Sequence, residues 1–417
     1  MTTRTLVARA VALALLATAG TAIAGEPLFL GASASRATAA VDALASRPDT
    51  AAMRVVRANA RAVRADTREI ELDIAGRRLN AVRIDAKPVD GGVVWSGEIR
   101  ETATVRANTA RESGGDAMNS AILVRRGSGV TGSIRVDGRL FRVRPLPDGH
   151  HAVVEIDESR FPADHPAEFA ALPDFRMDAA PTLRMAGPNV GAAAIAPGPT
   201  ATIRVGVVAT NAAVNAYGGD MRALMELAVA ESNQGYANSN VGISLVLASY
   251  TTISYSERGM SRDLSRFRAT SDGYMDGIHT TRNNTASDVM MLVGNDSSAC
   301  GLASGIGSTA STAFATVYWD CATGYYSFAH EIGHLQSARH DPAADPTNTP
   351  YAYGHGYRAP NSAWRTIMAY NCTSDCPRIN YWSNPDITYG GQPMGTADRS
   401  HNQRVLVNTK ATIAGFR

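Results

Sequence analysis

The segment HEIGHLQSARHD at residues 330–341 constrains this chain more than any other. His330 and His334 are four residues apart, so on a helix their side chains lie on one face, one turn from each other. Two neutral imidazoles at this spacing suit a zinc ion, and Glu331 stands where a carboxylate can reach a water beside the metal. The segment therefore predicts a zinc-binding helix in which Glu331 acts as a general base.

A zinc site needs at least a third protein ligand, and His340 is the candidate. Six residues of continuous helix would rotate its side chain by about 240° from that of His334, away from the metal. His340 can bind the same ion only if the helix breaks near Ser337. Three histidines would leave one coordination position open, as catalytic zinc sites do.

A second segment, WRTIMAYNC at residues 364–372, follows His340 by a few tens of residues. Together the two segments resemble the metzincin metallopeptidases, whose motif is HExxHxxGxxH followed by a Met-turn. Ser337 stands where that family usually has Gly. Glycine allows a left-handed turn there, and a serine in its place costs about 1–2 kcal/mol.

The metzincin resemblance assigns roles to three further residues. It implies that Met368 lies beneath the three histidines as a hydrophobic base. It implies that Tyr370 approaches the metal and stabilises the transition state, although a tyrosine at this place can equally be packing in the wall. Asp341, which directly follows the third histidine, is expected to support the turn beneath the zinc rather than to react.

The serine at position 337 makes the chain most similar to one group, the peptidyl-Asp metallopeptidases, which are secreted bacterial endopeptidases of the Asp-N type. Members cut on the amino side of aspartate, so the resemblance implies a cationic S1′ pocket. Arginine can bind a carboxylate through two parallel hydrogen bonds. Arg378 is the first candidate for this cation and Arg365 the second, and either can instead be a solvated surface arginine.

Two other functions remain open from the sequence. One is a metzincin endopeptidase with an apolar S1′ pocket. The other is a non-catalytic, zinc-stabilised binding module. The presence of Glu331 argues against it, because a binding module does not need a general base. Lys and Arg total 40 and Asp and Glu 38, a balance that gives no indication of a nucleic-acid partner. We expect polypeptide substrates and a monomer.

Residues 1–24 have the features of a secretory signal peptide. Arg4 and Arg9 precede an apolar run over residues 11–19 that is too short to span a bilayer, and Ala-Ile-Ala at 22–24 resembles a cleavage site. A membrane anchor is the alternative. The chain is therefore expected to be secreted or periplasmic, without membrane association once the signal is removed.

All four cysteines lie in the last third of the chain, and an even number in an exported protein suggests disulfides. Of the three possible pairings we favour the two between neighbours in sequence, which are Cys300–Cys321 and Cys372–Cys376.

Residues 25–180 are predicted to form a β-rich propeptide. Helical spacing is present over 25–65, and strand-like alternation follows over 68–158, with a hairpin turn at Asp137-Gly138. The run from 132 to 157 is similar to the end of reprolysin-type propeptides. A binding domain that is not removed is the alternative reading.

This region contains no cysteine to block a zinc ion, so a carboxylate or an imidazole would have to do so. The candidates are not ranked, and they are Asp174, Asp178, His150, His151 and His165. Residues 181–201, rich in Ala, Pro and Gly, read as a linker where processing is expected.

Residues 202–417 are predicted to form the catalytic domain. Strands alternate with helices, which indicates an α/β (α+β) fold with a mixed, mainly parallel sheet backed by helices, as the metzincin resemblance also implies. The zinc helix is expected at about 326–337. The resemblance implies that the sheet's edge strand binds substrate in an extended form, and residues 311–319 are the candidate for that strand.

Overall fold

A computed structural model describes residues 25–32, 34–100, 115–175 and 196–417. The predicted signal peptide, the candidate Asp178 and most of the predicted linker lie outside these ranges. Within the described part of the chain, no helix is both long and apolar enough to cross a membrane.

The N-terminal unit is built on one ten-stranded sheet, in which every neighbouring pair is antiparallel except β1 with β4. Buried side chains alternate with more accessible ones along β4, so one face of that strand meets the core. The strand order is β1-β4-β5-β6-β7-β8-β9-β10-β3-β2. The elements are β1 (Glu26–Pro27), β2 (Phe29–Ala32), α1 (Thr38–Ala45), β3 (Thr50–Ala58), β4 (Glu69–Ile74), β5 (Arg77–Val89), β6 (Gly92–Arg100), β7 (Ser120–Arg126), β8 (Gly129–Val136), β9 (Arg139–Pro145) and β10 (His151–Ile156).

The helix expected over residues 25–65 is largely wrong, because only α1 is an α-helix there. Residues of β3 instead pair with β10 on one side and with β2 on the other, and sheet pairing of this kind overrides a local helical preference. The predicted hairpin is confirmed. Asp137 and Gly138 join β8 to β9 with φ of 51° and 81°, as a type I′ turn requires.

The second unit holds a five-stranded sheet of order β12-β11-β13-β15-β14. The first four strands are parallel and β14 is antiparallel, so the mixed, mainly parallel sheet is confirmed. The elements are β11 (Ala201–Thr210), α2 (Asn211–Tyr217), α3 (Met221–Asn238), β12 (Ile243–Ile253), α4 (Met260–Arg268), α5 (Ile278–Asn284), β13 (Val289–Gly294), β14 (Gly301–Ala303), β15 (Phe314–Tyr318), α6 (Ser327–Leu335), β16 (Asn384–Tyr389), β17 (Gln392–Met394) and α7 (Asn402–Ile413).

The prediction that residues 311–319 form the edge strand is wrong. They contain β15, which lies between β13 and β14 and is buried along its whole length, as a central strand is. The edge is the three-residue strand β14. A strand this short gives no periodic signal in the sequence, so only the fold reveals it.

The N-terminal sheet has a hydrophobic core of its own, and part of its other face packs into the core of the second unit. Ile122 and Val124 of β7 pack in the same cluster as Leu227 of α3 and Val205 of β11. Buried arginines of the N-terminal sheet add polar contacts to the second unit. Arg142 donates to the Asp320 carboxylate at 2.9 Å, and neighbouring arginines reach backbone carbonyls. The N-terminal sheet therefore packs directly against the unit that carries the HEIGHLQSARHD segment.

Both predicted disulfides are present, and both lie in the second unit. Cys300–Cys321 ties the start of β14 to the loop after β15, and Cys372–Cys376 closes a short loop after residues 366–370. Each cross-link restricts the unfolded chain, and the restriction grows with the number of residues that the cross-link encloses.

We expect the two disulfides to differ in their effect on stability. Sequence separations of 21 and 4 residues correspond to about 3 and about 2 kcal/mol of loop entropy, respectively. Replacing Cys300 and Cys321 by serine should therefore lower the free energy of unfolding more than the same change at Cys372 and Cys376. Denaturant titration of both double variants measures this, and the reverse order would contradict the assignment.

Candidate active site

Helix α6 carries His330, Glu331 and His334, and all three side chains are buried. The helix ends in a left-handed turn at Ser337, whose φ is 77°. Ser337 N–H donates to the His334 carbonyl at 2.8 Å, and Ala338 N–H to the Gly333 carbonyl at 2.9 Å, which is the pattern of a Schellman motif. The chain reverses there, and His340 returns to the side of the helix that carries the other two histidines.

Four histidines, rather than three, converge on one point. His330, His334 and His340 are joined by His165 from the segment that follows the N-terminal sheet, and all four side chains are buried. Every distance between their Nε2 atoms lies between 2.9 and 3.1 Å, so the four nitrogens stand at the corners of a nearly regular tetrahedron.

Hydrogen bonds to carbonyls fix the orientation of three of these rings. The Nδ1–H of His330 donates to Ile367 O at 2.9 Å, that of His334 to Ala338 O at 2.8 Å, and that of His165 to Gly301 O at 2.9 Å. The Nε2 lone pair of each ring therefore points inward. Burial lowers the pKa of His165 to about 4 and those of the other three histidines well below their usual range, so the rings are neutral.

Converging lone pairs repel unless a cation lies between them, so the site fits a metal ion. With Zn–N bonds of about 2.0–2.1 Å, a tetrahedral zinc site has nitrogen–nitrogen edges of about 3.3 Å, close to the spacing found. The carbonyl acceptors behind the rings are the outer partners that metal-binding histidines usually have.

Glu331 lies beside this centre and is cut off from solvent. Its side chain is 1% exposed, and its Oε1 is 3.6 Å from His165 Nδ1. A side chain at position 301 would collide with the Glu331 carboxylate, so Gly301 is required for this close approach. Burial, and after it the nearby Asp164, raises the pKa of Glu331 well above its ordinary value. A carboxylate held in this way can take up a proton and release it.

The residues expected around the histidines lie close to them. Met368 is fully buried, and its Sδ is 3.0 Å from where a Cβ on Gly333 of α6 would lie. The Asp341 carboxylate accepts a hydrogen bond from Tyr370 N–H at 3.0 Å, so it supports the chain next to Met368. The Tyr370 ring lies beside the His340 ring, with centroids 4.2 Å apart and the ring planes tilted by 41°.

Arg378 lies fully buried near the metal centre and pairs with a carboxylate. Its Nη2 donates to Asp164 Oδ1 at 2.8 Å, its Nη1 donates to Tyr325 O at 3.1 Å, and its guanidinium lies over the Tyr325 ring. Among the residues that the structure describes, its buried Nε has no acceptor. Burial would raise the pKa of Asp164, but the charges of Arg378 and Arg365 outweigh it and lower that pKa.

Arg365 is also buried, but its donors are directed elsewhere. Its Nη1 donates to Ala369 O at 2.7 Å, and its Nη2 to the Tyr325 hydroxyl at 3.1 Å. Among the described ion pairs, none joins Arg365 to a carboxylate. Of the two arginines predicted for the substrate pocket, Arg378 is therefore the one that pairs with a carboxylate. Arg365 instead binds the Ala369 carbonyl and the Tyr325 hydroxyl next to it.

The structure separates the candidate inhibitory residues. His165 lies at the metal centre, Asp174 pairs with Arg339, His150 lies 3.0 Å from the carboxylate of Asp148, and His151 accepts a hydrogen bond from Val130 N–H. Asp178 is outside the described residues. The sequence analysis did not identify Asp164. Its position next to the candidate His165 was a usable signal, because the substrate pocket was expected to bind an aspartate side chain.

Comparisons with known proteins agree with this geometry. The sequence model of metallo-peptidase family M12 (Reprolysin_5) matches residues 199–383. The chain is 56% identical over 409 residues to a peptidyl-Asp metalloendopeptidase of Xanthomonas campestris pv. campestris, covering 95% of each chain. It is 62% identical over 354 residues to one of Stenotrophomonas maltophilia, covering 83% of this chain and 82% of the relative. A relative from Pseudomonas fragi with the same name is 55% identical over its whole length and covers 45% of this chain.

Among solved structures, the chain is similar to metalloproteinase-II from Bacteroides fragilis, at a TM-score of 0.39 and 13% identity, covering 76% of this chain and 88% of that one. A likeness this distant does not bear on the site.

The left-handed Ser337 gives a test of the helix end. Ser337→Gly should raise the free energy of unfolding by about 0.5–1 kcal/mol, because the left-handed strain that glycine removes, about 1–2 kcal/mol, exceeds the cost of the greater freedom that glycine has in the unfolded chain. No hydrogen bond of the side chain is lost, since Ser337 Oγ has no partner among the described residues. Thermal unfolding measures the change. Ser337→Ala keeps the strain and serves as the matched control, and an equal gain in both variants would contradict the argument.

Proposed function

The chain belongs to the peptidyl-Asp metalloendopeptidase family and is a metalloendopeptidase that acts on polypeptides. On that premise we propose that it is a zinc enzyme of the metzincin type, that it cuts on the amino side of aspartate, and that it is exported as a zymogen. The observation that carries the specificity is the fully buried Arg378, which binds a carboxylate next to the four-histidine centre.

We assign the metal to His330, His334 and His340 of the catalytic unit. A cluster of neutral imidazoles suits zinc, whose structural and catalytic sites are commonly tetrahedral. When bound, Zn²⁺ lowers the pKa of a water toward about 7 and stabilises negative charge that develops on the substrate's carbonyl oxygen. Helix α6, the turn at Ser337 and the carbonyls behind the rings hold the three imidazoles ready for it.

The side chains around the metal carry the proton transfers. Glu331 takes a proton from water as general base and returns it to the leaving amine as general acid. Its raised pKa suits a group that must hold the proton between these two steps. Tyr370, beside His340, is placed to donate a hydrogen bond to the developing oxyanion. We assign Met368, which lies against Gly333 of α6, as the hydrophobic base beneath the histidines, and Asp341 as the residue that positions Tyr370 through its backbone N–H.

Arg378 is proposed to bind the aspartate side chain that follows the cut bond. A buried guanidinium with a free Nε donor favours a carboxylate over a neutral side chain, because an uncompensated buried charge is costly. Arg365 adds a second positive charge nearby and supports the pocket wall. This arrangement disfavours the alternative of an apolar S1′ pocket.

The remaining proposals concern export and processing. The sequence features of residues 1–24, together with two disulfides, support a secreted or periplasmic location. We propose residues 25–180 as the propeptide, 181–201 as the segment where processing occurs, and 202–417 as the catalytic domain. The packing of the N-terminal sheet against the catalytic unit supports a zymogen.

Replacing Glu331 by glutamine tests the catalytic assignment. The variant should bind zinc as well as the wild type does, because the three histidines are unchanged. Its kcat should fall by about 10²–10⁴-fold, the usual contribution of a general acid–base. Metal analysis and peptide hydrolysis measure the two quantities, and a variant that cleaves as fast as the wild type would show that Glu331 is not the base.

Replacing Arg378 by methionine tests the specificity assignment in the processed enzyme. We expect kcat/KM for a peptide with a single aspartate to fall by about 100-fold or more, because the substrate carboxylate then lacks a buried partner. A matched asparagine peptide should lose far less. Arg365→Lys is the comparison variant and should slow both peptides alike. An unchanged ratio of aspartate to asparagine cleavage in Arg378→Met would contradict the proposal.

A further inference from the structure

Residues 163–175, which we call the covering segment, lie across the active site. Cys300 N–H donates to Ala163 O at 2.8 Å and Gly301 N–H to Asp164 O at 3.1 Å. Further on, Phe175 N–H donates to Ile306 O at 2.9 Å. These bonds are made along the edge of the catalytic sheet, at the first residue of β14, at the residue before it and at Ile306. Such an edge is where an extended peptide would be bound.

We propose that Asp164 and His165 act together as an internal inhibitor: the Asp164 carboxylate fills the pocket for the substrate's aspartate, while the His165 imidazole takes the fourth position at the metal. This inference rests on the proposed function, since it assigns to Arg378 the same partner chemistry in the zymogen and in the substrate complex.

The carboxylate half of the inhibitor is the ion pair of Asp164 with Arg378. The two side chains are 7% and 0% exposed, so the pair is desolvated. Within the described residues, Asp164 is the only carboxylate paired with Arg378. A buried arginine without a counter-ion is strongly destabilising. The pocket therefore requires an acid, and the chain supplies one of its own until a substrate can take its place.

The imidazole half closes the position that a catalytic metal must keep open. His165 Nε2 is 2.9–3.1 Å from the Nε2 atoms of the three other histidines, so a tetrahedral metal has no place left for water. Phe169 stacks on the His165 ring, with centroids 4.1 Å apart, and covers it from outside. The Glu331 side chain is buried beneath this cover, so bulk solvent does not reach it.

The direction of the chain explains why this segment is not a substrate. In a peptide cut before aspartate, the reacting carbonyl belongs to the residue that precedes the aspartate. In the covering segment, the residue at the metal follows the aspartate. The covering segment therefore runs from the Arg378 pocket to the metal, whereas a substrate runs from the metal to the pocket. The carbonyl before Asp164 is instead bound by Cys300 N–H.

A second anchor holds the far end of the covering segment. The Asp174 carboxylate pairs with Arg339, which lies between Ser337 and His340, and also accepts a hydrogen bond from the Thr349 hydroxyl. Among the described residues, no hydrogen bond or ion pair joins the Asp174 or Arg339 side chain to the four histidine rings or to Arg378. This anchor fixes the covering segment in place and leaves the inhibitory contacts to Asp164 and His165.

The test uses the full-length chain with Glu331→Gln, which prevents self-processing, loaded with zinc. His165→Ala and Asp164→Asn are introduced into it, and Glu168→Gln, an exposed carboxylate of the same segment, is the control. Zinc-edge X-ray absorption counts the imidazoles at the metal. We expect four in the parent, the control and Asp164→Asn, and three in His165→Ala. Three in the parent, or no change in His165→Ala, would overturn the proposal.

The second readout is the binding of a fluorescent peptide with one aspartate, followed by anisotropy. We expect the double variant of Asp164 and His165 to bind at least about 100-fold more tightly than the parent, because both occupied positions are then free. Asp164→Asn alone keeps the shape of the segment and should bind more tightly than the control. Equal binding by Asp164→Asn and Glu168→Gln would overturn the aspartate half.

An assay of the processed wild-type enzyme on the same peptide distinguishes failure of the proposed function from failure of the proposed inhibitor. If it does not cut before aspartate, the proposed function fails whatever the zymogen binds. If it cuts there but the parent zymogen already binds the peptide as tightly as the double variant, the inhibitor fails and the proposed function stands.

Discussion

The rest of the structure depends on four neutral imidazoles whose lone pairs face one another at about 3 Å. Lone pairs that face one another at this distance repel unless a cation lies between them. The surrounding elements supply what the metal alone cannot. Helix α6 holds the rings of His330 and His334 one turn apart. The left-handed turn at Ser337 brings His340 back to them, and hydrogen bonds to backbone carbonyls fix the tautomers of three of the four rings. The fourth ring comes from a different unit of the chain, so the metal centre joins the two units.

The buried pair of Arg378 and Asp164 adds a second constraint next to the first. The metal position takes the Nε2 lone pair of His165, and Arg378 takes the carboxylate of Asp164. Consecutive residues of the covering segment therefore occupy both positions. In our proposal, a substrate with aspartate after the cut bond would satisfy the same two positions from the opposite direction. Under this proposal, substrate specificity and inhibition of the zymogen use the same arrangement of charges. An apolar pocket would offer the covering segment no comparable anchor.

Much of the site follows from sequence because its chemistry is local. Histidines four apart on a helix and a serine at the turn can be read directly from residues 330–341. The hairpin turn at Asp137-Gly138 can likewise be predicted from these two residues and their neighbours. Position 165 was only one of five unranked candidates, because its role depends on how a separate sheet packs on the catalytic unit. Asp164 was missed for the same reason.

The errors in the fold have related causes. Residues 50–58 carry a helical pattern but form a strand, because two neighbouring strands offer hydrogen bonds that no local pattern reveals. The edge strand at 301–303 is too short for any periodicity. The more conspicuous apolar run at 314–318 was taken for the edge, although complete burial of that run marks the interior of a sheet. Long-range pairing decided each of these cases.

The most direct test of the account is to digest a denatured protein mixture with the processed enzyme, with and without a chelator, and to map every cut by mass spectrometry. We predict cuts concentrated on the amino side of aspartate, all of them lost when the metal is removed. Cuts before large apolar residues would contradict the role of Arg378, and cuts that persist in chelator would contradict the metal mechanism itself.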